Sequence, residues 1–348
     1  MTLREKVGQL LMVGFRGLEV GEHSPIVRAI AAGLVGGVVL FDQDMLLKGE
    51  PRNIQSPRQV RKLISSLQQA AAVPLLVAVD QEGGQVARLK KKYGFPATVS
   101  ARYLGDVDDT ELTGRHAAAT AAVLARAGFN LNFAPVVDLN VNPSNPVIGK
   151  LDRSYSPKVP TVVRHALAVI EAHRRQGVGC CLKHFPGHGS SRGDSHLGFT
   201  DVSDTWEAPE LEPYAEIIAR GRADAVMTAH IFNRRLDPGL PATLSQRTIA
   251  GLLRRELGFT GVVISDDLDM KAISAEYERD TALALALNAG NDIILIANNL
   301  AYDDHVAARA HDSILRLVDA GLVSQARIDE ACRRVMDLKH GRIALAAG

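Results

Sequence analysis

Apolar residues in this chain gather into eight short runs, at residues 10–15, 35–41, 74–80, 131–138, 178–184, 225–231, 261–266 and 292–296. Within each run they lack the three- and four-residue steps of a helix face, which predicts buried strands. Between the runs, segments such as 57–72, 111–127, 159–176, 245–257 and 281–289 space their apolar residues three and four apart, the stripe of an amphipathic helix. Eight alternating units predict a single closed (β/α)8 TIM barrel rather than an open sheet. A last amphipathic helix is expected over 324–340 with Ser324 at its N-cap. No low-complexity linker or internal repeat separates a second unit, so residues 1–348 are read as one domain.

Polar residues cluster where these strands finish: Asp42-Gln43-Asp44, Asp80-Gln81-Glu82, Asp138, Lys183-His184, His230 and Ser265-Asp266-Asp267. In a barrel such ends share the face that carries active sites. Two long irregular loops, 144–153 and the glycine- and histidine-rich stretch after His184, are expected on that face as well.

Charge changes the picture by exclusion. Forty basic against thirty-nine acidic side chains leave a net charge of +1, with no basic tract to suit a nucleic acid or a membrane surface. A small molecule is the expected partner. Cys180 and Cys181 are adjacent in an apolar strand and Cys332 is on a helix, so they form no disulfide framework and show no metal-ligand spacing. The first residues lack the apolar core of a signal peptide, and no run of about 18 apolar residues is present to span a bilayer. The expectation is a cytoplasmic protein, with a monomer as the working assumption.

The densest candidate chemistry lies at residues 180–196. Lys183 and His184 close an apolar strand, and Pro186, Gly187, Gly189 and Gly193 then forbid regular structure and allow a loop that swings. Lys183 and His184 suit a Schiff-base lysine with a helper, a pair of substrate hydrogen-bonders, or a strand-end ion pair. His184, His188, His196 and Asp194 are possible metal ligands by type, but Pro186 and Gly187 rule out the helix that would give their spacing meaning. Asp194 and His196, two apart, can set a carboxylate against an imidazole and so make a proton shuttle. At the end of the run 261–266, Asp266 and Asp267 allow one carboxylate to face the barrel mouth while the other bonds to backbone amides. The residues alone leave open which does which.

The segment Lys183-His-Phe-Pro-Gly-His-Gly followed by Asp194-Ser-His196, together with Leu252-Leu-Arg-Arg-Glu-Leu-Gly-Phe-Thr-Gly-Val-Val-Ile-Ser-Asp266, resembles glycoside hydrolase family three and within it the β-N-acetylglucosaminidase branch. Asp80-Gln-Glu-Gly-Gly-Gln-Val-Ala-Arg88, Asn132-Phe-Ala-Pro-Val-Val-Asp138 and Asp152-Arg-Ser-Tyr155 extend the likeness over most of the chain. The resemblance implies a retaining exo-glycosidase without metal or organic cofactor. It makes Asp266 the nucleophile with Asp267 in support, and His196 the acid/base with Asp194 as its partner. It assigns Asp80 to sugar hydroxyls and Arg88, Arg153, Lys183 and His184 to sugar binding. The implied substrate is a peptidoglycan fragment of cell-wall recycling, N-acetylglucosamine linked β-1,4 to anhydro-N-acetylmuramic acid with or without peptide. Ser190-Ser191 depart from the Asp-Thr often found there, which bears on the loop. Rival readings are a broader β-glucosidase or a glycoside phosphorylase of the same fold, a Schiff-base aldolase using Lys183, and a carbohydrate-binding protein without turnover.

Overall fold

The strands form where the chain is apolar on both sides, because each must pack inward against the others and outward against helices. The computed structural model describes residues 1–195 and 197–341. Its strands are β1 (Leu11–Gly14), β2 (Gly37–Val39), β3 (Leu76–Val79), β4 (Gln81–Gly83), β5 (Val86–Ala87), β6 (Leu131–Asn132), β7 (Gly179–Phe185), β8 (Ala225–Thr228), β9 (Val262–Ile264) and β10 (Ile294–Ile296). All but β4 and β5 pair in parallel in chain order, and β10 returns to β1 with Leu11 opposite Ile294. A bridge between Ile264 and Ile293, with the Ser265 N–H donating to the Ile293 carbonyl at 2.9 Å, joins β9 to the start of β10 and closes the (β/α)8 barrel. Each of the eight expected runs supplies one barrel strand.

Alternation along the strands divides them between two cores. Met12, Val39, Leu76, Leu131, Cys181, Met227 and Ile264 pack together inside the barrel, whereas Leu11, Val13, Val38 and Val77 and Cys180, Leu182, Val226 and Val263 face the surrounding helices. The expected helices are present, among them Pro57–Gln69, Thr110–Ala127, Val159–Arg174 and Arg279–Ala289, and Arg247–Glu256 winds more widely, as a π-helix. The last helix, Gln325–Gly341, begins as expected: the Arg327 N–H donates to Ser324 Oγ at 3.2 Å. Its Val335 and Leu338 plug the barrel interior from the end where the strands begin.

The strand expected over 131–138 departs most from the reading. β6 ends at Asn132, yet the chain beyond it stays bonded to both neighbours: the Phe133 N–H donates to the Val79 carbonyl at 2.9 Å, the Cys181 N–H donates to the Ala134 carbonyl at 3.0 Å, and a bridge pairs Val136 with Lys183. The polar continuation after β3 is not a plain loop either: β4 and β5 form a small antiparallel hairpin, with Gln81 opposite Ala87.

At the strand-start end, Asp292 is fully buried and bonded by three arginines: Arg254 at 2.6 Å, Arg327 at 2.8 Å and Arg334 at 3.2 Å. They come from two helices and tie both to the barrel floor. Removing one partner of such a network leaves buried charge uncompensated, which costs about 3–5 kcal/mol. Asp292→Ala is therefore expected to lose about that much stability in denaturant unfolding, and a loss below about 1 kcal/mol would show the cluster to be ornamental.

Candidate active site

The strand-finish end gathers a chain of alternating charges. Lys183, inward-facing on β7 and only 2 % exposed, places Nζ 2.7 Å from Asp80 Oδ1 and 2.7 Å from Glu82 Oε1. Asp80 follows β3 and also meets Arg88 Nη2 at 3.2 Å. Glu82, in the hairpin, takes a two-point grip from Arg153, with Nε to Oε2 and Nη2 to Oε1 both 2.7 Å. Asn132 anchors the hairpin's start, its Oδ1 accepting from the Gln81 N–H at 3.0 Å and its Nδ2 donating to the Gln81 carbonyl at 3.1 Å. Asp80 and Glu82 are thus aimed by the strand next door.

Burial alone would drive these groups toward neutrality, but their pairing reverses it. Burial pushes the Asp80 carboxyl up, yet Lys183 and Arg88 outweigh it and hold it far below the usual carboxylate range. Glu82 is lowered in the same way by Arg153 and Lys183. Burial disfavours the Lys183 ammonium, and Asp80 and Glu82 raise its pKa in spite of it. A lysine so held is protonated at neutral pH, which removes the free amine a Schiff base requires.

His184 continues the chain. Its Nδ1 lies 2.7 Å from Asp138 Oδ2 and its Nε2 3.1 Å from Arg153 Nη2. A guanidinium only donates, so Nε2 accepts and the ring proton sits on Nδ1, pointing at Asp138. Asp138 is fully buried and also accepts the backbone N–H of His188 at 2.8 Å. Burial raises its carboxyl, and His184 and His188 outweigh this and lower it.

Asp266 and Asp267, ambiguous in sequence, are separated by geometry. Asp267 is buried and its Oδ1 accepts backbone N–H groups from Ala297 at 2.8 Å and Asp269 at 3.1 Å. Burial, reinforced by Asp269, pushes its carboxyl up to about 8. Asp266 is half-buried, with Oδ1 accepting the Asp267 N–H at 2.8 Å. Its neighbours in the cavity wall are the charged chain just described: a cavity of about 360 Å³ is lined by Asp80, Glu82, Arg88, Arg153, Lys183, His184 and Asp266, with Asp267 also at its edge. That volume suits a small molecule.

Asp194 is half-buried and does not line this cavity; its predicted partner His196 lies outside the described residues. The stem of their loop is firmly seated. Asn145 Nδ2 donates to the His188 carbonyl at 2.7 Å, and Asn142 Nδ2 donates to the Ser191 carbonyl at 2.8 Å. The Ser190 N–H donates to Glu210, whose carboxyl burial pushes up to about 7. Gly187 has a φ of +117°, and a Cβ there would press on Glu210 at 2.7 Å. Burial, with His184 adding to it, pushes the His188 imidazole down to about 4, so it is neutral at pH 7. Its Nε2 lies 3.4 Å from Ser195 Oγ, the residue between Asp194 and His196.

The structure thus brings Asp80, Arg88, Arg153, Lys183, His184 and Asp266 to one cavity. It adds Glu82 to that cavity and Asp138 behind His184, two residues to which the sequence reading gave no role. The signal for Glu82 was its two-residue step from Asp80, which in extended chain puts both on one side. Asp138 announced itself only as an aspartate ending an apolar run.

Residues 2–338 match the family described as the glycosyl hydrolase family 3 N terminal domain. The β-hexosaminidase A of Pseudoalteromonas piscicida is 36 % identical over 335 residues, covering 85 % of this chain but 54 % of that protein. The β-hexosaminidase of Tolumonas auensis is 37 % identical, covering 84 % of this chain and 83 % of that protein. Among solved structures, a glycoside hydrolase family 3 β-N-acetylglucosaminidase from Paenibacillus sp. superimposes with a TM-score of 0.90 at 41 % identity, over 100 % of this chain and 64 % of that one. The β-N-acetylhexosaminidase of Beutenbergia cavernae gives a TM-score of 0.86 at 32 % identity, over 97 % of this chain and 98 % of that one. The chain therefore spans less than two thirds of the Pseudoalteromonas and Paenibacillus proteins and nearly all of the Beutenbergia one. On a match of this extent, over a barrel whose mouth carries the family's charged motifs, the chain belongs to glycosyl hydrolase family 3.

Proposed function

We propose that this chain is one catalytic domain that hydrolyses terminal, non-reducing β-N-acetylglucosamine residues with retention of configuration. The observation that carries the reading is the convergence of Asp266 with Asp80, Arg88, Arg153, Lys183 and His184 on one cavity at the strand-finish end. A terminal sugar is recognised by hydrogen bonds to its hydroxyls, and the pre-paired charges there orient donors and acceptors before it arrives. Family membership and the relatives' names support the N-acetylhexosaminide class.

In this mechanism the Asp266 carboxylate attacks the anomeric carbon as the bond to the leaving oxygen breaks, and His196, held by Asp194, gives that oxygen its proton. A water then attacks the glycosyl ester, His196 takes the proton back, and Asp266 is released with the anomeric configuration restored. Asp267 ties the loop after β9 to the loop after β10, its carboxyl oxygen accepting the Asp269 and Ala297 N–H groups. No metal or organic cofactor enters these steps. The substrate we assign is N-acetylglucosaminyl-β-1,4-anhydro-N-acetylmuramic acid with or without its peptide, met in the cytoplasm during cell-wall recycling by a monomeric enzyme.

Turnover of an aryl β-N-acetylglucosaminide beside the matching aryl β-glucoside tests the class directly: a preference of at least about tenfold for the acetamido sugar is expected, and equal rates would make the protein a broader β-glucosidase. Repeating the assay in phosphate and finding sugar phosphate would make it a phosphorylase.

The two aspartates should separate cleanly. Asp266→Asn is expected to lower kcat by about 10³-fold or more on good and poor leaving groups alike, with the fold intact. Asp267→Asn addresses stability instead. A carboxyl raised to about 8 in the fold binds more protons folded than unfolded, so wild-type stability falls through this group as pH climbs from about 4 to about 8. The Asn variant should lack that fall and gain on the wild type across the window; a larger kcat loss from Asp267→Asn than from Asp266→Asn would reverse the assignment.

Removal of His196 should matter in proportion to the help the leaving group needs. His196→Ala is expected to cost about 10²- to 10⁴-fold on the disaccharide and far less in the glycosylation step of a nitrophenyl glycoside. Equal damage on both would reduce His196 to a shaper of the pocket.

A further inference from the structure

The cavity that holds Asp266 has charged side walls over a buried apolar base of Val39, Phe133, Met227 and Leu295, and at its doorway two of its three solvent-exposed lining residues are again apolar. Among its lining residues, those exposed to solvent are Gln43, Met45 and Leu300. Met45 is 57 % exposed and Leu300 37 %, and Leu46 beside them is 49 % exposed. Apolar side chains displayed so openly, contiguous with a catalytic cavity, mark a binding surface.

The doorway is built rigidly. Asp44, 3 % exposed, is gripped by Arg16 through Nε at 2.6 Å and by Arg52 through Nη1 at 2.7 Å. Its Oδ1 also accepts the N–H groups of Leu46 at 3.0 Å and Leu47 at 2.9 Å, which winds the turn outward. Asn299 stitches the turn to the loop after β10: its Oδ1 accepts the Met45 N–H at 3.1 Å and its Nδ2 donates to the Gln43 carbonyl at 3.2 Å. Met45 and Leu300 are thereby held at the same rim by a buried polar scaffold, so little ordering is left for a ligand to impose.

We infer that Met45 and Leu300 form the leaving-group subsite, a preorganised apolar platform that selects aglycones with an apolar face. The inference rests on the hydrolase reading above. If the terminal sugar sits among the charged side walls beside Asp266, the rest of the substrate must leave through the exposed end of the cavity, and that end is Gln43, Met45 and Leu300.

The test is kcat/KM along a series of methyl, butyl and octyl β-N-acetylglucosaminides. Their alcohols have nearly equal basicity, so the chemistry is constant and only contact with the doorway varies. The octyl glycoside should exceed the methyl by about tenfold, the gain expected from burying two methylenes. Met45→Ser with Leu300→Ser should bring that ratio to within about twofold of unity. Leu47→Ser, on the same turn but outside the cavity lining, should leave the ratio at its wild-type value. A flat series in the wild type, or a ratio that survives the double substitution, would overturn the subsite while leaving the hydrolase reading standing. Should the double substitution alter only the mass in light scattering and not the ratio, the patch is an interface between copies and the inference falls. Absence of turnover with every member of the series would overturn both readings together.

Discussion

The constraint on which the site depends is the burial of Lys183. An ammonium at 2 % exposure survives only if charge is brought to it, and Asp80 and Glu82 do so at 2.7 Å each. Those carboxylates then need partners of their own, supplied by Arg88 and Arg153, and Arg153 in turn fixes the tautomer of His184 against Asp138. The result is three carboxylates interleaved with three fixed cations and an imidazole, contributed by β3, the β4–β5 hairpin, β7 and two loops. Each member is oriented by the next, so the charged wall of the cavity is assembled by the same interactions that make its charges tolerable. The arrangement leaves the cavity lined by charged groups that are already oriented.

The two ends of the barrel spend charge differently. Where the strands begin, Asp292 is enclosed by three arginines and sealed by the last helix, with the arginines also bonded to carbonyls of Gly261, Leu287 and Asn291. That network is closed. Where the strands finish, Arg88 Nε has no hydrogen-bond partner among the described residues, and Asp266 stands at a cavity wall. The contrast follows the division of a barrel into a stabilising end and a reactive one.

The barrel was legible in the sequence because each strand is apolar on both faces, so residues such as Leu11, Met12 and Val13 form an unbroken run. Strand edges were less legible: the run 131–138 is a regular strand only to Asn132 and continues beyond it by single hydrogen bonds to β3 and β7. Among the site residues, Asp80, Lys183, His184 and Asp266 stood out by strand-end position with their roles open, whereas Arg88 and Arg153 came only from the family resemblance. The division of labour between Asp266 and Asp267 did not emerge from position, because it rests on amides of Asp269 and Ala297, the latter 30 residues away in sequence. Glu82 and Asp138 stayed hidden for the same reason, since their roles exist only once Arg153 and His184 arrive from distant loops and strands.

The most direct test of the account is the identity of the side chain that takes up the sugar. Incubation with a slow, fluorinated N-acetylglucosaminyl substrate, followed by peptide mass spectrometry, should find one equivalent of sugar ester-linked to the peptide containing Asp266. An adduct on Asp267 or elsewhere would contradict the account, as would brisk turnover with retained configuration and no trapped protein ester, which would move the nucleophile to the substrate's own acetamido group.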